Sequence, residues 1–133
     1  MIITKNIDEA RKEIHKLIRG NKEVVVEAGD DDFNRKIFEM KVVNMVVGLE
    51  FDRRDKLKQR DSGMNEVLAK LANKNNITIG IDINKIKKLD PLDKGKVLAR
   101  IIQNISLCKR TGARIVILGA DNKETMSFIS CFH

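Results

Sequence analysis

Arg53, Arg54, Lys56, Lys58 and Arg60 place five cations within eight residues, in the stretch DRRDKLKQR over residues 52–60. Guanidinium and ammonium groups at that density can follow a phosphate backbone without reading bases. The stretch has no hydrophobic period and reads as an exposed loop. It can equally be a solvated linker. Its position directly before the best-patterned segment of the chain favours phosphate contact. Lys70 and Lys74 fall on the wet face of the helix expected next, and Lys109 and Arg110 close a later helix. All four are further candidates for phosphate contact. Arg35, in the triplet Asn34-Arg35-Lys36, has two open readings: a bidentate phosphate contact or a structural carboxylate pair.

The acids suggest other chemistry. Glu27, Glu50 and Asp82 each stand near the C-terminal end of an expected strand. In α/β enzymes that edge hosts the site. An acidic metal site of a stand-alone phosphoesterase is therefore the alternative reading; otherwise these acids cap loops or pair with lysines. Asp30, Asp31 and Asp32 lack the alternate spacing of a calcium loop, and acids here complement the start of the next helix. His15 and His133 lie at opposite ends of the chain, without a second ligand at metal spacing. Cys108 and Cys131 form no C-x-x-C pair and read as free thiols. There is no G-x-x-x-x-G-K-[ST] phosphate loop. No catalytic residue and no metal ligand are assigned.

The 133 residues suit one domain, residues 1–133, with residues 119–133 an unpatterned tail. The net charge of +7 favours a polyanionic partner, and its distribution says more. Residues 21–51 carry four Lys/Arg against seven Asp/Glu, whereas residues 52–60 carry five against two. With no Trp or Tyr and five Phe, an aromatic platform that stacks single-stranded bases is disfavoured. Contact to phosphates and to folded RNA shape fits better. No apolar run is long enough to span a bilayer, and the default compartment is the cytoplasm.

The elements that must position these residues alternate. A short strand is expected at residues 1–4. A helix capped by Asn6 follows to about Arg19, with Ile7, Ala10, Ile14, Leu17 and Ile18 inward. Residues 23–28 and 42–49 read as strands, separated by a helix that ends near Met40 with Phe33, Ile37 and Met40 inward. Residues 60–83 form the central unit. Asp61 or Ser62 caps a helix whose inward face is Met64, Val67, Leu68, Leu71 and Ala72. Ile77, Ile79, Ile81 and Ile83 then alternate as a strand. A lysine-rich link with one helical turn at most covers residues 84–89. Asp90-Pro91 opens a long helix to about Arg110 with Val97, Leu98, Ile101, Ile102, Ile105 and Cys108 buried, and Gly112 stops it. Residues 113–118 are the last strand. Short links between alternating elements argue for parallel strands joined by right-handed crossovers.

The segment RDSGMNEVLAKLANKNNITIG (residues 60–80), with FNRKIFE before it and LCKRTGARIVI after it, resembles the archaeal ribonuclease P protein component 3 family, in the family's order. The resemblance covers roughly residues 24–118. It implies a TIM-barrel-like fold related to the polymerase and histidinol phosphatase group. A full barrel takes about 250 residues, so the expectation is an α/β chain shorter than a full barrel. The resemblance also implies a non-catalytic, RNA-binding subunit of ribonuclease P that supports the catalytic RNA in 5′ maturation of precursor tRNA. Its implied partners are the ribonuclease P RNA, precursor tRNA through the complex, and a second small protein subunit. Magnesium would belong to the RNA, with no cofactor held by the protein. The family commonly reads Arg-Lys-Asp-Ser/Pro-Gly, a hydrophobic residue, Asn or Asp, and His. This chain has Gln59 and Arg60 at the first two positions and Glu66 at the last, which removes cationic or polar groups there. Asp61, Ser62 and Gly63 are retained and read as loop geometry and capping.

Overall fold

A helix can start only where its first N–H groups find acceptors, and side-chain caps supply them along this chain. Asn6 accepts from the N–H groups of Asp8 and Glu9 and opens α1 (Ile7–Arg19). Asp30 accepts from Phe33 N–H and opens α2 (Asp31–Phe38). Asn65 does so for α3 (Glu66–Lys74), Asp82 for α4 (Ile83–Lys87), and Asp90, with Pro91 following, for α5 (Pro91–Thr111). Gly112, at φ +82°, ends α5 in the left-handed region. Strands alternate with these helices: β1 (Val25–Glu27), β2 (Met45–Val47), β3 (Thr78–Asp82) and β4 (Ile115–Leu118). The computed structural model describes residues 1–51, 53 and 61–119.

The four strands pair in sequence order, β1-β2-β3-β4, and every pairing is parallel. Val26, Val46, Ile79 and Ile115 fall in register across the sheet. Right-handed crossovers between strands in this order put the connecting helices on one face. The helices pack side by side accordingly, α1 on α2, α2 on α3, and α3 on α5. This is an α/β arrangement of the kind that builds part of a TIM barrel. Among the described residues the sheet is not closed. Ile2 makes a single parallel bridge to Val26 along the outer edge of β1, which is all that forms of the first expected strand.

The core lies between the sheet and the helices. Phe38, Ile37, Leu49, Ile77, Ile79 and Ile101 are among its fully buried side chains. Each such aliphatic or aromatic burial is worth about 1.5–3 kcal/mol.

Several expectations about the elements are corrected. The cap of α3 is Asn65, not Asp61 or Ser62, so its inward face is Leu68, Ala69 and Ala72. Val67, expected inside, is 54% exposed. Two alanines on this face let α3 approach its neighbours closely, and apolar spacing alone gives small residues too little weight. In α5 the buried positions include Arg100, Asn104 and Leu107, while Ile102, expected inside, is 48% exposed. Two polar residues hold inward positions there, which turned the apolar pattern toward the wrong face. Ile18 of α1 is also exposed. The strands are shorter than expected, α2 stops at Phe38, and Ile83 begins α4 instead of ending β3 because the Asp82 carboxylate caps the turn that follows.

Candidate nucleic-acid interface

The tripeptide Asp61-Ser62-Gly63 is built for shape. Asp61 Oδ1 accepts from Gly63 N–H at 3.0 Å, an Asx turn. The buried Ser62 hydroxyl donates to Met64 C=O at 3.1 Å. Gly63 has φ +80°, and a Cβ there would fall 1.9 Å from Leu49 O. Only glycine permits that approach between the turn after β2 and the segment that enters α3.

Arg53 lies at the centre of this contact. Its side chain is 7% exposed. Nη1 pairs with Asp31 at 2.6 Å and with Asp61 at 3.5 Å, Nε donates to Leu49 C=O, and Nη2 donates to Gly29 C=O. The expectation of a phosphate contact at Arg53 is therefore corrected. Its guanidinium fork is engaged on several sides by the fold. From α5, Arg100 donates to the carbonyls of Glu50 and Arg53, and Asn104 Nδ2 donates to Ser62 C=O at 3.0 Å. Asn34 is wholly buried and clasps Gly29 through both its amide oxygen and its amide nitrogen. Residues 49–51, residue 53 and residues 61–64 are thus held together on α5 and α2. Arg54, Lys56, Lys58 and Arg60 lie outside the described residues.

A groove of about 560 Å³ opens beside this clamp, between α2, the segment leading into α3, and α5. It brings Arg35 and Arg110 together, two cations separated by 75 positions (110 − 35) in sequence. Its walls also carry Asp31, Asp32, Asp61 and Glu66. Asp31 and Asp61 face Arg53, and Glu66 meets Lys70 at 3.6 Å. Arg35 reaches Glu39 at 3.3 Å, yet two-thirds of its side chain is exposed. An exposed pair of this kind contributes little and exchanges readily for a phosphate. The structure thus shows the carboxylate pair of Arg35 and leaves its guanidinium exposed beside the groove. Lys70, Lys74, Lys109 and Arg110 are all exposed, but only Arg110 of these four lines the groove.

The three acids of the alternative reading diverge. Glu27 pairs with Lys5 at 2.9 Å, and Asp82 caps α4. Glu50 is 1% exposed, and both carboxylate oxygens are buried with no side-chain hydrogen-bond donor in reach among the described residues. Burial raises its pKa from 4.5 to about 7, against the smaller opposing influences of its own backbone N–H and of Lys85. Burial likewise pushes the Cys108 thiol up to about 11, so it is inert packing. Among the described residues, no three His, Cys, Asp or Glu side chains gather as a cation cage.

Comparison with known proteins bears on what such a surface serves. Ribonuclease P protein component 3 of Methanococcus maripaludis strain C6 is 30% identical over 116 residues, which is 87% of this chain and 47% of that protein. The component 3 protein of strain S2 is 28% identical over 121 residues, 91% of this chain and 50% of its own length. That of Methanococcus vannielii is 26% identical over 121 residues. The chain is homologous to ribonuclease P protein component 3. It spans about half the length of the component 3 relatives it matches. Among solved structures, a chain of a cryo-EM structure of archaeal ribonuclease P with mature tRNA is 25% identical, with a TM-score of 0.72 over 93% of this chain and 52% of that one. A crystal structure of an uncharacterized protein shares the fold, with a TM-score of 0.59 at 13% identity. No protein-family model matches.

The component 3 resemblance drawn from residues 60–80 is thereby upheld. The residues that sequence reasoning missed are Arg100, Asn104 and the buried side of Asn34. Their one signal is spacing: 97, 100/101, 104 and 107/108 form a continuous helical face once polar residues are admitted to it.

Proposed function

We propose that this chain is an RNA-binding subunit of ribonuclease P that supports the catalytic RNA in 5′ maturation of precursor tRNA. The observation that carries the proposal is the homology to component 3 along about nine-tenths of the chain. The clamp fits it, because both flanks of the basic stretch are fixed to the scaffold. Arg54, Lys56, Lys58 and Arg60 contact phosphate, together with Arg35 and Arg110 of the groove and the exposed Lys70, Lys74 and Lys109. The ribonuclease P RNA is the direct partner, precursor tRNA is met through the complex, and a second small protein subunit completes the assembly. Magnesium belongs to the RNA, and the protein holds no cofactor. No helix among the described residues is long and apolar enough to cross a membrane, and the place of action is the cytoplasm.

The test is reconstitution. Added to an archaeal ribonuclease P assembled without component 3, the protein is expected to restore 5′ cleavage of precursor tRNA. Site-specific cleavage by the protein alone, with Mg²⁺ and no RNA subunit, would refute the accessory role and favour the phosphoesterase reading.

A further inference from the structure

The groove beside the clamp carries acids as well as cations, and its charges largely offset one another. A surface with a clearer excess lies elsewhere. Residues 83–96 hold five lysines, Lys85, Lys87, Lys88, Lys94 and Lys96, against Asp90 and Asp93. The local balance is +3 in fourteen residues (5 − 2, residues 83–96). Ile83 and Ile86 are buried, Ile86 in a small core with Ile81, Val97 and Ile101. They pin α4 against α5 and β4, which leaves Lys85, Lys87 and Lys88 exposed. Lys96 is exposed on the first turns of α5, and Lys94 is half-buried. One of the two acids serves as the cap: Asp90 Oδ1 accepts from Asp93 N–H, and that bond holds the Asp90 carboxyl below its usual range. Lys85, Lys88, Lys94 and Lys96 join no ion pair among the described residues.

The position of this surface matters as much as its charge. Lys85 Nζ lies 4.2 Å from the centre of the Phe51 ring. Phe51 is immediately before the basic stretch, and Arg100 of α5 binds the carbonyls on either side of it, Glu50 and Arg53. The surface therefore adjoins Phe51, which Arg100 holds through the neighbouring carbonyls. Gly95 lies between two of its lysines, and a Cβ built there meets nothing within 4 Å. The backbone at that point is open to a large partner.

We propose that α4 and the first turns of α5 form a second phosphate-contacting surface that takes the backbone of a double-stranded RNA segment. The proposal rests on the ribonuclease P reading for the identity of the RNA and on charge complementarity for its class. Lysines present point charges without a planar fork, so they grip phosphates and do not select sequence. No aromatic platform for unstacked bases accompanies them.

Two variants test the surface. Gly95→Glu sets a carboxylate among the lysines at an unhindered site, and glutamate favours a helix more than glycine does. Lys88→Glu with Lys96→Glu reverses two exposed charges. Binding is titrated over several salt concentrations with an archaeal ribonuclease P RNA transcript, a generic RNA duplex and anionic lipid vesicles. Thermal unfolding of each variant confirms that it folds. Both variants are expected to bind the transcript and the duplex roughly ten-fold more weakly, with the salt slope lowered by about 0.7–0.9 for each lost phosphate contact. Unchanged affinity and slope for both RNAs would overturn the surface, as would wild-type binding to neither RNA or tighter wild-type binding to the vesicles. A wild type that binds the duplex as well as the transcript, with both interactions weakened in the variants, keeps the surface but counts against the ribonuclease P reading.

Discussion

Glu50 makes the stability of this protein depend on pH in an unusual direction. Its carboxyl is buried at the C-terminal rim of the sheet, and its pKa rises from 4.5 to about 7. Desolvation, aided by Asp82, outweighs the backbone N–H of Glu50 and Lys85, which favour the charged form. The folded protein therefore holds this proton more tightly than the unfolded chain does. Below about pH 4.5 both states are protonated and ionisation costs nothing. Between about 4.5 and 7 the unfolded chain ionises while the folded protein keeps its proton, so stability falls as pH rises. Above about 7 the folded carboxyl ionises in place and the loss is complete. At about 1.36 kcal/mol per pH unit, the loss comes to roughly 3 kcal/mol. Glu50→Gln keeps the shape and abolishes the titration. Urea unfolding of both proteins at several pH values isolates the effect, because every other titrating group cancels in the difference. The stability of Glu50→Gln relative to wild type is expected to grow by roughly 3 kcal/mol from the acidic to the alkaline end. Parallel stability curves would refute the reasoning and mean that Glu50 is charged and compensated in the fold.

Other consequences are open to the same assays. Gly63→Ala forces a side chain into the left-handed region and against Leu49 O, and should destabilise by more than about 2 kcal/mol in urea unfolding. Leu68→Ala should lose about 2–5 kcal/mol whereas Val67→Ala stays under about 0.5, and equal losses would show the helical face misassigned. Arg53→Met strands the carbonyls it serves and should lower stability by roughly 2–3 kcal/mol while leaving the salt slope of RNA binding unchanged. Arg110→Ala should do the reverse, with unaltered stability and a slope lower by about 0.7–0.9.

Much of the fold was legible because local signals agreed with one another. Asn6, Asp90-Pro91 and Gly112 marked helix ends correctly, and the alternation of helices with strands announced a parallel sheet. The resemblance on residues 60–80 carried the function, since no periodicity speaks of RNA. The site was less legible, for a physical reason. An arginine in a basic run looks the same in sequence whether it faces solvent or the interior. Arg53 is distinguished only by Asp31, Gly29 and Asp61, which the fold brings to it from both sides. Arg100 and Asn104 were hidden because a buried polar residue is affordable only when backbone carbonyls await it, and those carbonyls belong to segments about 40–50 positions away. The register of α3 failed for a simpler cause: Asn65 caps as well as Asp61 or Ser62, and three candidate caps within five residues leave the start ambiguous.

The clamp around Arg53 also decides which parts of the fold can open separately. Gly29 and Asp31 at the start of α2, Leu49 after β2 and Asp61 before α3 all meet one guanidinium, and Arg100 and Asn104 of α5 hold the same segments. None of these segments can leave without breaking contacts of the others, so they should open as one cooperative unit. Hydrogen exchange at the Gly29 and Gly63 amides, each bonded within the clamp and 34 positions apart (63 − 29), should therefore slow and quicken together.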